Sequence, residues 1–378
     1  MTATDPSTLG YPIFHYGTVF TGLSDQTPGS DVTVAVVNLD GSVSNTSTYH
    51  IAANMNELDS DGDGLPDEWE NHGYDANGVH VDLPALGANP YRKDIFVEVD
   101  WMSAAAPDPN IWGDIENAFN AAPILNSDGS AGISIHIDHG QAGAGGGGGT
   151  IITYADALRY DSLTPNPMKT YANFRTIKTN NFNASRLNVY RYCVFGWDNG
   201  YSLGSSGQAE DIWCNDFFVS LGSWGVDAAR RDFQVGTFMH ELGHTLSLRH
   251  GGFEDTNSKD NYNSIMQYGN GWILWGGANN VYSPSQMGGI DVDCNQLNVD
   301  NIFTYSQGMR ADLNESSLNE NNGVCDHVAR DWNGNGTIQN PVSFNLDGSA
   351  ALTTIKDFAD WANIKPNFRA AGSNWGGN

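Results

Sequence analysis

The sequence predicts an α+β fold in which helices pack against a twisted mixed β-sheet. Short apolar runs typical of strands alternate with stretches of helical spacing, and 39% hydrophobic content over 378 residues is enough for a large core. No apolar run of about 18 residues is present, so no membrane span is expected. Asp and Glu number 44 against 17 Lys and Arg, a net charge of -27. This charge argues against nucleic acid or an anionic membrane as a partner and favours cation binding and solubility.

The elements follow one another in an order that places a long helix after most of the strands. Strands are expected at residues 32–37, 94–101, 133–137, 187–195 and 216–221. Helices are expected at residues 111–121 and 353–363, and a longer one begins at about residue 227. The predicted division is a small β-rich segment (1–57), an acidic loop region (58–91), a main domain (92–310) that contains the long helix, and a C-terminal cap (311–378).

The long helix ends in a pattern typical of a metal site. His240 and His244 are four residues apart and therefore lie on one face of a helix, with Glu241 beside the first of them. His250 supplies a third ligand if the helix ends about one turn later and the chain folds back. Three imidazoles leave one zinc position open, as catalytic zinc sites require. Glu241 is then the expected base that takes a proton from a zinc-activated water. The alternative is an amphipathic helix whose histidines only satisfy local hydrogen bonds.

This pattern, followed by a methionine-containing turn, resembles that of the metzincin clan of zinc endopeptidases over roughly residues 92–290. Residues 264–268, Ser-Ile-Met-Gln-Tyr, look like the Met-turn. The resemblance implies that Met266 forms a hydrophobic floor below the metal without binding it. It also implies that Tyr268 acts as the tyrosine of astacin-like and serralysin-like enzymes, which ligates zinc at rest and then stabilises the tetrahedral intermediate. In that family an exposed edge strand, here near residues 217–221, pairs with an extended protein or peptide substrate.

One position departs from the family pattern. Ser247 stands where glycine is usual, at the point where the helix ends and the chain reverses. A left-handed serine costs about 1 kcal/mol relative to glycine. Either Ser247 adopts that conformation, or Gly251 and Gly252 help to make the turn differently.

A second motif predicts calcium. Residues 59–70 fit the twelve-residue EF-hand loop, with Gly64 at its sharp turn. The expected ligands are the side chains of Asp59, Asp61, Asp63, Asp67 and Glu70 and the backbone carbonyl of Leu65. Pro66 lacks the N–H that a paired EF-hand needs, so an isolated extracellular loop is expected rather than a calmodulin-like sensor. The alternative is a solvated acidic turn.

Two weaker echoes of the loop follow. Asp331, Asn333, Asn335 and the carbonyl of Thr337 repeat its first half, but Val342 stands at position twelve and cannot ligate. Asp347 or Asp357 would have to complete that site. Residues 75–78 are a third echo, ending near residue 82. Plain Asx turns are the alternative for both.

The cysteines and the N-terminus bear on localisation. Four cysteines without CxxC spacing do not resemble a structural zinc site, and the simplest disulfide pairing is Cys193 with Cys214 and Cys294 with Cys325. Free buried thiols are the alternative. The first residues lack a signal-peptide pattern. Secretion is nevertheless expected from the composition, with the signal peptide absent from this chain.

Together these patterns predict a secreted zinc endopeptidase of extracellular proteins, with catalytic zinc and structural calcium. Two alternatives stay open: a calcium-dependent adhesion or scaffold protein on a peptidase fold, and a zinc hydrolase of a non-peptide amide. Glu241 argues against the scaffold, because a site that only holds zinc needs no carboxylate at that position.

Overall fold

The structure is a computed structural model, and it combines helices with a mixed sheet, which confirms the predicted α+β class. It describes residues 31–37, 43–50, 58–143, 145–162, 166–200, 205–224, 229–257, 259–262, 264–267, 303–324 and 329–367. Within these ranges no helix combines the length and the apolar character that a membrane crossing needs.

The elements are numbered in chain order. The strands are β1 (Asp31–Val37), β2 (Val43–His50), β3 (Tyr74–Ala76), β4 (Val79–Val81), β5 (Asp94–Met102), β6 (Ser134–Asp138), β7 (Ile151–Ile152), β8 (Ala157–Arg159), β9 (Tyr171–Asn173), β10 (Tyr190–Phe195), β11 (Gly207–Ala209), β12 (Asp216–Val219), β13 (Leu313–Asn314) and β14 (Thr354–Ile355). The α-helices are α1 (Asp67–His72), α2 (Ile111–Asn120), α3 (Phe174–Asn181), α4 (Ala229–Thr245) and α5 (Asp360–Asn363).

The central sheet has the strand order β11-β12-β10-β5-β6, and β7 pairs with the end of β5. β5, β6, β10 and β12 run parallel, whereas β11 is antiparallel to β12. β5 and β10 are buried along almost their whole length, as expected for inner parallel strands that are covered on both faces.

Each face of the sheet carries its own core. Val97 and Val99 of β5 belong to the cluster that includes the apolar residues of α2 and α4. Phe96 points to the opposite face, as the two-residue period of a strand requires, and joins the cluster that includes Phe174 of α3. α4 is therefore packed along one face of the sheet, so its C-terminal half, with the predicted metal ligands, is held on a rigid support.

The predicted edge strand at residues 217–221 is wrong. β12 lies between β10 and β11, and β11 is the last strand on that side of the sheet as described here. A three-residue strand that begins with glycine carries too little apolar pattern to be recognised in the sequence.

The predicted Cys193–Cys214 disulfide is also wrong, because both residues are buried free thiols. Tyr192 of β10 pairs with Asp216 of β12, which puts Cys214 about three residues out of register with Cys193. Three strand residues span about 10 Å, more than the roughly 7 Å between Cα atoms that a disulfide tolerates. Cys294 and Cys325 lie outside the described residues.

Two further predictions are corrected. The helix expected at residues 353–363 is confined to α5, because residues 354–355 pair with β13 instead. Residues 75–78, a weak match to the calcium-loop pattern, form the end of β3 and the turn of the β3–β4 hairpin. Asn77 and Gly78 both have positive φ there, 53° and 77°, as a tight two-residue hairpin turn requires.

Candidate metal centres

The three histidines predicted from their spacing meet at the C-terminal end of α4. The Nε2 atoms of His240 and His244 are 3.2 Å apart. The ring centroid of His250 lies 5.4 Å from that of His240 and 4.9 Å from that of His244. Each ring has one nitrogen that lies within 4.8 Å of a nitrogen of each of the other two rings. Three nitrogen donors at this separation can bind one metal ion.

Hydrogen bonds fix the orientation of two of these rings. Nδ1 of His240 donates to the carbonyl of Ile265 at 2.9 Å, and Nδ1 of His244 donates to that of Leu248 at 2.8 Å. A carbonyl only accepts, so the proton is on Nδ1 in both rings. Burial lowers the pKa of both histidines, that of His244 to about 4, so both rings are neutral near pH 7.

The two Nε2 atoms therefore direct lone pairs toward each other, and this contact is repulsive unless a cation lies between them. Histidine ligands in metal sites commonly donate their second nitrogen to a backbone carbonyl in this way. The donor set thus fits a zinc ion held by His240, His244 and His250.

A Schellman motif brings His250 back toward the helix. The amide of Leu248 donates to the carbonyl of Gly243 at 2.9 Å, and the amide of Ser247 donates to that of His244 at 3.0 Å. Ser247 has φ of 80°, so it takes the left-handed conformation that the sequence analysis gave as one of two alternatives. Gly252, with φ of 84°, forms the next turn through mutual bonds with Arg249.

The segment predicted as the Met-turn packs against the same helix. Met266 is buried, and a Cβ built on Gly243 would lie 2.3 Å from its sulfur. α4 and Met266 can approach this closely only because position 243 has no side chain. The preceding residue, Ile265, supplies the carbonyl that orients His240. Tyr268 lies outside the described residues.

Glu241 is 4% exposed and faces β11, whose residue Ala209 gives its carboxylate a backbone hydrogen bond. Burial raises the pKa of Glu241 to about 8. A Cβ on Gly207 would lie 2.9 Å from Cγ of Glu241, so the edge strand can lie against the helix only with glycine there. This edge strand, missed in the sequence, is the one that lies beside the predicted base.

The acidic loop before β5 contains two groups of carboxylates. Asp59, Asp61 and Asp63 form one triad, and Asp63, Glu70 and Asp94 form another, each with oxygens within 4.8 Å of one another. Asp94 was not predicted, because it lies in β5, outside the twelve-residue pattern.

The loop is shaped by its own amides. The carboxylate of Asp59 accepts from Gly62 at 2.7 Å and from Gly64 at 2.9 Å, and both glycines have positive φ. Asp67 accepts from the amide and the hydroxyl of Ser60, both at 2.7 Å, and belongs to neither triad. The amide of Leu65 donates to Asp63. Ligation by Asp67 and by the Leu65 carbonyl therefore stays a prediction.

Without a cation, ionisation of the carboxylates in this loop destabilises the folded protein. Burial first, and neighbouring carboxylates second, raise the pKa of Asp61 to about 7, that of Asp63 to about 8 and that of Glu70 to about 10. Lys93 opposes the shift at Asp61 and donates a hydrogen bond to its backbone carbonyl. A divalent cation would remove this cost, since hard cations take oxygen ligands.

The loop at Asp331 is closed by its own amides and by a glutamate that the sequence did not suggest. Asp331 accepts from Asn335 and Gly336, Asn333 accepts from Asn335, and the Asn335 side chain accepts from Thr337. Buried Glu320 accepts from the amides of residues 332 and 339 at either end of the loop. The carboxylate of Asp347 accepts a hydrogen bond from the amide of residue 349. The carboxylate of Asp357 accepts from the hydroxyl of residue 306 and from the amides of residues 310 and 358. Cation binding at this loop stays a prediction.

The chain matches no model of a known protein family and no curated protein sequence.

Proposed function

We propose that the protein is a secreted zinc-dependent endopeptidase of the metzincin type that is stabilised by calcium. The observation that carries the proposal is the histidine centre: three imidazole nitrogens converge, and the rings of His240 and His244 are held by backbone carbonyls with their Nε2 lone pairs directed inward. Glu241 adjoins the first of these histidines in the sequence and is buried between α4 and β11. A helix with histidines that serve only local hydrogen bonds would not need this convergence.

His240, His244 and His250 would hold the zinc, which when bound polarises the scissile carbonyl and makes a water more acidic. Glu241 is the base in this proposal. Its carboxylate is buried beside the centre and in this proposal takes a proton from the attacking water and gives it to the leaving amine. Met266 supports the centre by packing under Gly243, and Tyr268 would stabilise the oxyanion by its place in the motif.

The substrate would be an extended segment of a protein or peptide. β11 is the edge strand of the described sheet and lies against Glu241. An extended peptide can add to such an edge through backbone hydrogen bonds, which brings its peptide bonds beside the base. Calcium in the acidic loop suits an extracellular protein, because isolated loops of this kind bind well at extracellular calcium concentrations.

The test is cleavage of casein by the wild-type protein and by the Glu241→Ala variant, in calcium-containing buffer, with the zinc content of both measured. We expect the wild type to cut, the variant to lose activity by about 10²-fold to 10⁴-fold, and both to hold one zinc. Glu116→Ala, on the exposed face of α2, is the matched control and should retain full activity.

Two results would contradict the proposal. If the wild-type protein holds no zinc, the histidine centre is not a zinc site and the proposal fails. A zinc-loaded protein that cuts neither casein nor unfolded polypeptides would favour the scaffold, and turnover of a small non-peptide amide alone would favour the other alternative.

A further inference from the structure

Glu70 is the one member of the acidic loop whose carboxylate is buried without a hydrogen bond. The residue is 1% exposed, and neither of its carboxylate oxygens has a partner among the described residues. An uncompensated buried carboxylate costs several kcal/mol. The oxygens of Asp63 and Asp94 lie within 4.8 Å of a Glu70 oxygen. This carboxylate is therefore directed toward those of Asp63 and Asp94, with no donor among the described residues to offset its charge.

The geometry divides the carboxylates into two groups. Calcium binds oxygens at 2.3–2.6 Å, so two ligands of one ion lie within about 5 Å of each other. Among the described residues, no triad combines Asp59 or Asp61 with Glu70 or Asp94; the two triads share only Asp63. An ion centred on the outer triad and an ion centred on the inner triad would therefore share only Asp63.

The charge of the region supports two ions. The two triads contain five carboxylates, and the ammonium of Lys93 offsets one of them. Two divalent cations would neutralise the four charges that remain. Oxygen ligands without nitrogen or sulfur favour calcium over a transition metal.

We propose that Asp63, Glu70 and Asp94 bind an inner calcium ion beside the ion of the EF-hand-like loop, with Asp63 bridging the two. Asp94 is oriented for this role. His136 Nε2 donates to one of its oxygens at 2.6 Å, and the amide of Asn89 donates to the other at 2.7 Å. Because Asp94 is the first residue of β5, the inner ion ties the loop and α1 to the middle of the sheet. The inference extends the structural calcium of the proposed function and does not depend on peptidase activity.

The first test is the Glu70→Gln variant, which replaces the carboxylate by an amide of the same shape and breaks no hydrogen bond. In calcium-free buffer its melting temperature should equal or exceed that of the wild type, because Glu70 must either carry an uncompensated charge or take up a proton on folding, and Gln does neither. In saturating calcium its melting temperature should be lower than that of the wild type, and calorimetric titration with calcium should show one ion fewer per chain. Asp312→Asn, an exposed acidic residue outside both triads, is the charge-matched control and should behave as wild type in both buffers.

The second test is direct and applies to the wild type. Crystals grown with calcium should give two anomalous peaks about 4 Å apart in this loop, one of them in contact with Glu70 and Asp94. A single peak would overturn the proposal, as would a Glu70→Gln variant that binds the same number of ions with unchanged affinity. Neither readout involves zinc or turnover, so failure here leaves the peptidase proposal intact and the converse also holds.

Discussion

The histidine centre at the end of α4 and the acidic loop before β5 are both suited to a cation, but they differ in charge. The histidines are neutral because burial lowers their pKa, and carbonyls of the protein hold His240 and His244 in place. The loop brings together carboxylates that repel one another, and within the described part of the chain Glu70 has no hydrogen-bond partner. The first centre therefore depends on packing for its geometry, whereas the second would depend on a bound cation.

A stretch of the C-terminal segment connects the two regions. The amide of Lys365 donates to the carbonyl of Leu246, one residue beyond α4. Arg191 donates to the carbonyl of Pro366 at 2.8 Å, and a Cβ on Gly64 in the acidic loop would lie 2.3 Å from that of Asn367. Residues 364–367 thus lie between the acidic loop and the end of the helix that carries the histidines.

The largest effect that follows from the comparison is a steeper fall of stability with rising pH when calcium is removed. The pKa values of Asp61, Asp63 and Glu70 rise from 3.8, 3.8 and 4.5 to about 7, 8 and 10. The folded protein then holds these protons more tightly than the unfolded chain, so unfolding releases protons and becomes easier as the pH rises. In calcium-free buffer the free energy of unfolding should fall by several kcal/mol between pH 4 and pH 8.

Urea titrations at several pH values, with and without calcium, measure this difference. With calcium bound the three loop carboxylates stay charged in the fold and no longer contribute to the slope. The remaining slope then reflects groups common to both buffers, such as Glu98, Glu241 and Asp360, whose pKa values burial also raises. Glu70→Gln should flatten the calcium-free slope. Equal slopes in the two buffers would contradict the difference in charge between the two centres.

An intermediate effect tests whether packing governs the histidine centre. A methyl group at Gly243 would lie 2.3 Å from the sulfur of Met266 and 3.0 Å from Cε1 of Tyr305. Gly243→Ala should therefore lower the free energy of unfolding by about 1–3 kcal/mol, as overpacking does in cores. It should also weaken zinc binding, because the neighbouring Ile265 carbonyl orients His240. Denaturant titration and zinc competition with a chelator measure the two effects.

Gly113→Ala is the matched control, since Gly113 is also a helical glycine but has no atom within 4 Å of a built Cβ. There the exchange should raise stability by about 0.5–1 kcal/mol, the usual helix-propensity gain. A stabilising Gly243→Ala would show that Met266 moves freely, and the centre would then not depend on packing.

The same contrast explains what could be predicted from the sequence. His240, His244 and Glu241 follow from spacing on one helix, and the first acidic triad follows from a contiguous loop. Asp94 and β11 could not be predicted in this way. Asp94 joins the loop only through the fold, and β11 is three residues long and recognisable only by its pairing with β12. Local patterns therefore specified part of each centre, and long-range contacts supplied the rest.

The smallest effect concerns the turn that brings His250 to the other two ligands. Ser247 has φ of 80° in the position of a Schellman motif where glycine is favoured, so Ser247→Gly should raise the free energy of unfolding by about 1 kcal/mol. Ser247→Ala keeps the strain and should bring no such gain, which separates backbone conformation from loss of the hydroxyl. Urea titration of the three proteins in chelator measures the difference.

Because the amides of Ser247 and Leu248 already hold this turn, zinc affinity should be the same in Ser247→Gly and wild type. A large gain in zinc affinity would mean that the strained serine keeps His250 from its place, and the histidine centre would then not be fully formed by its packing alone.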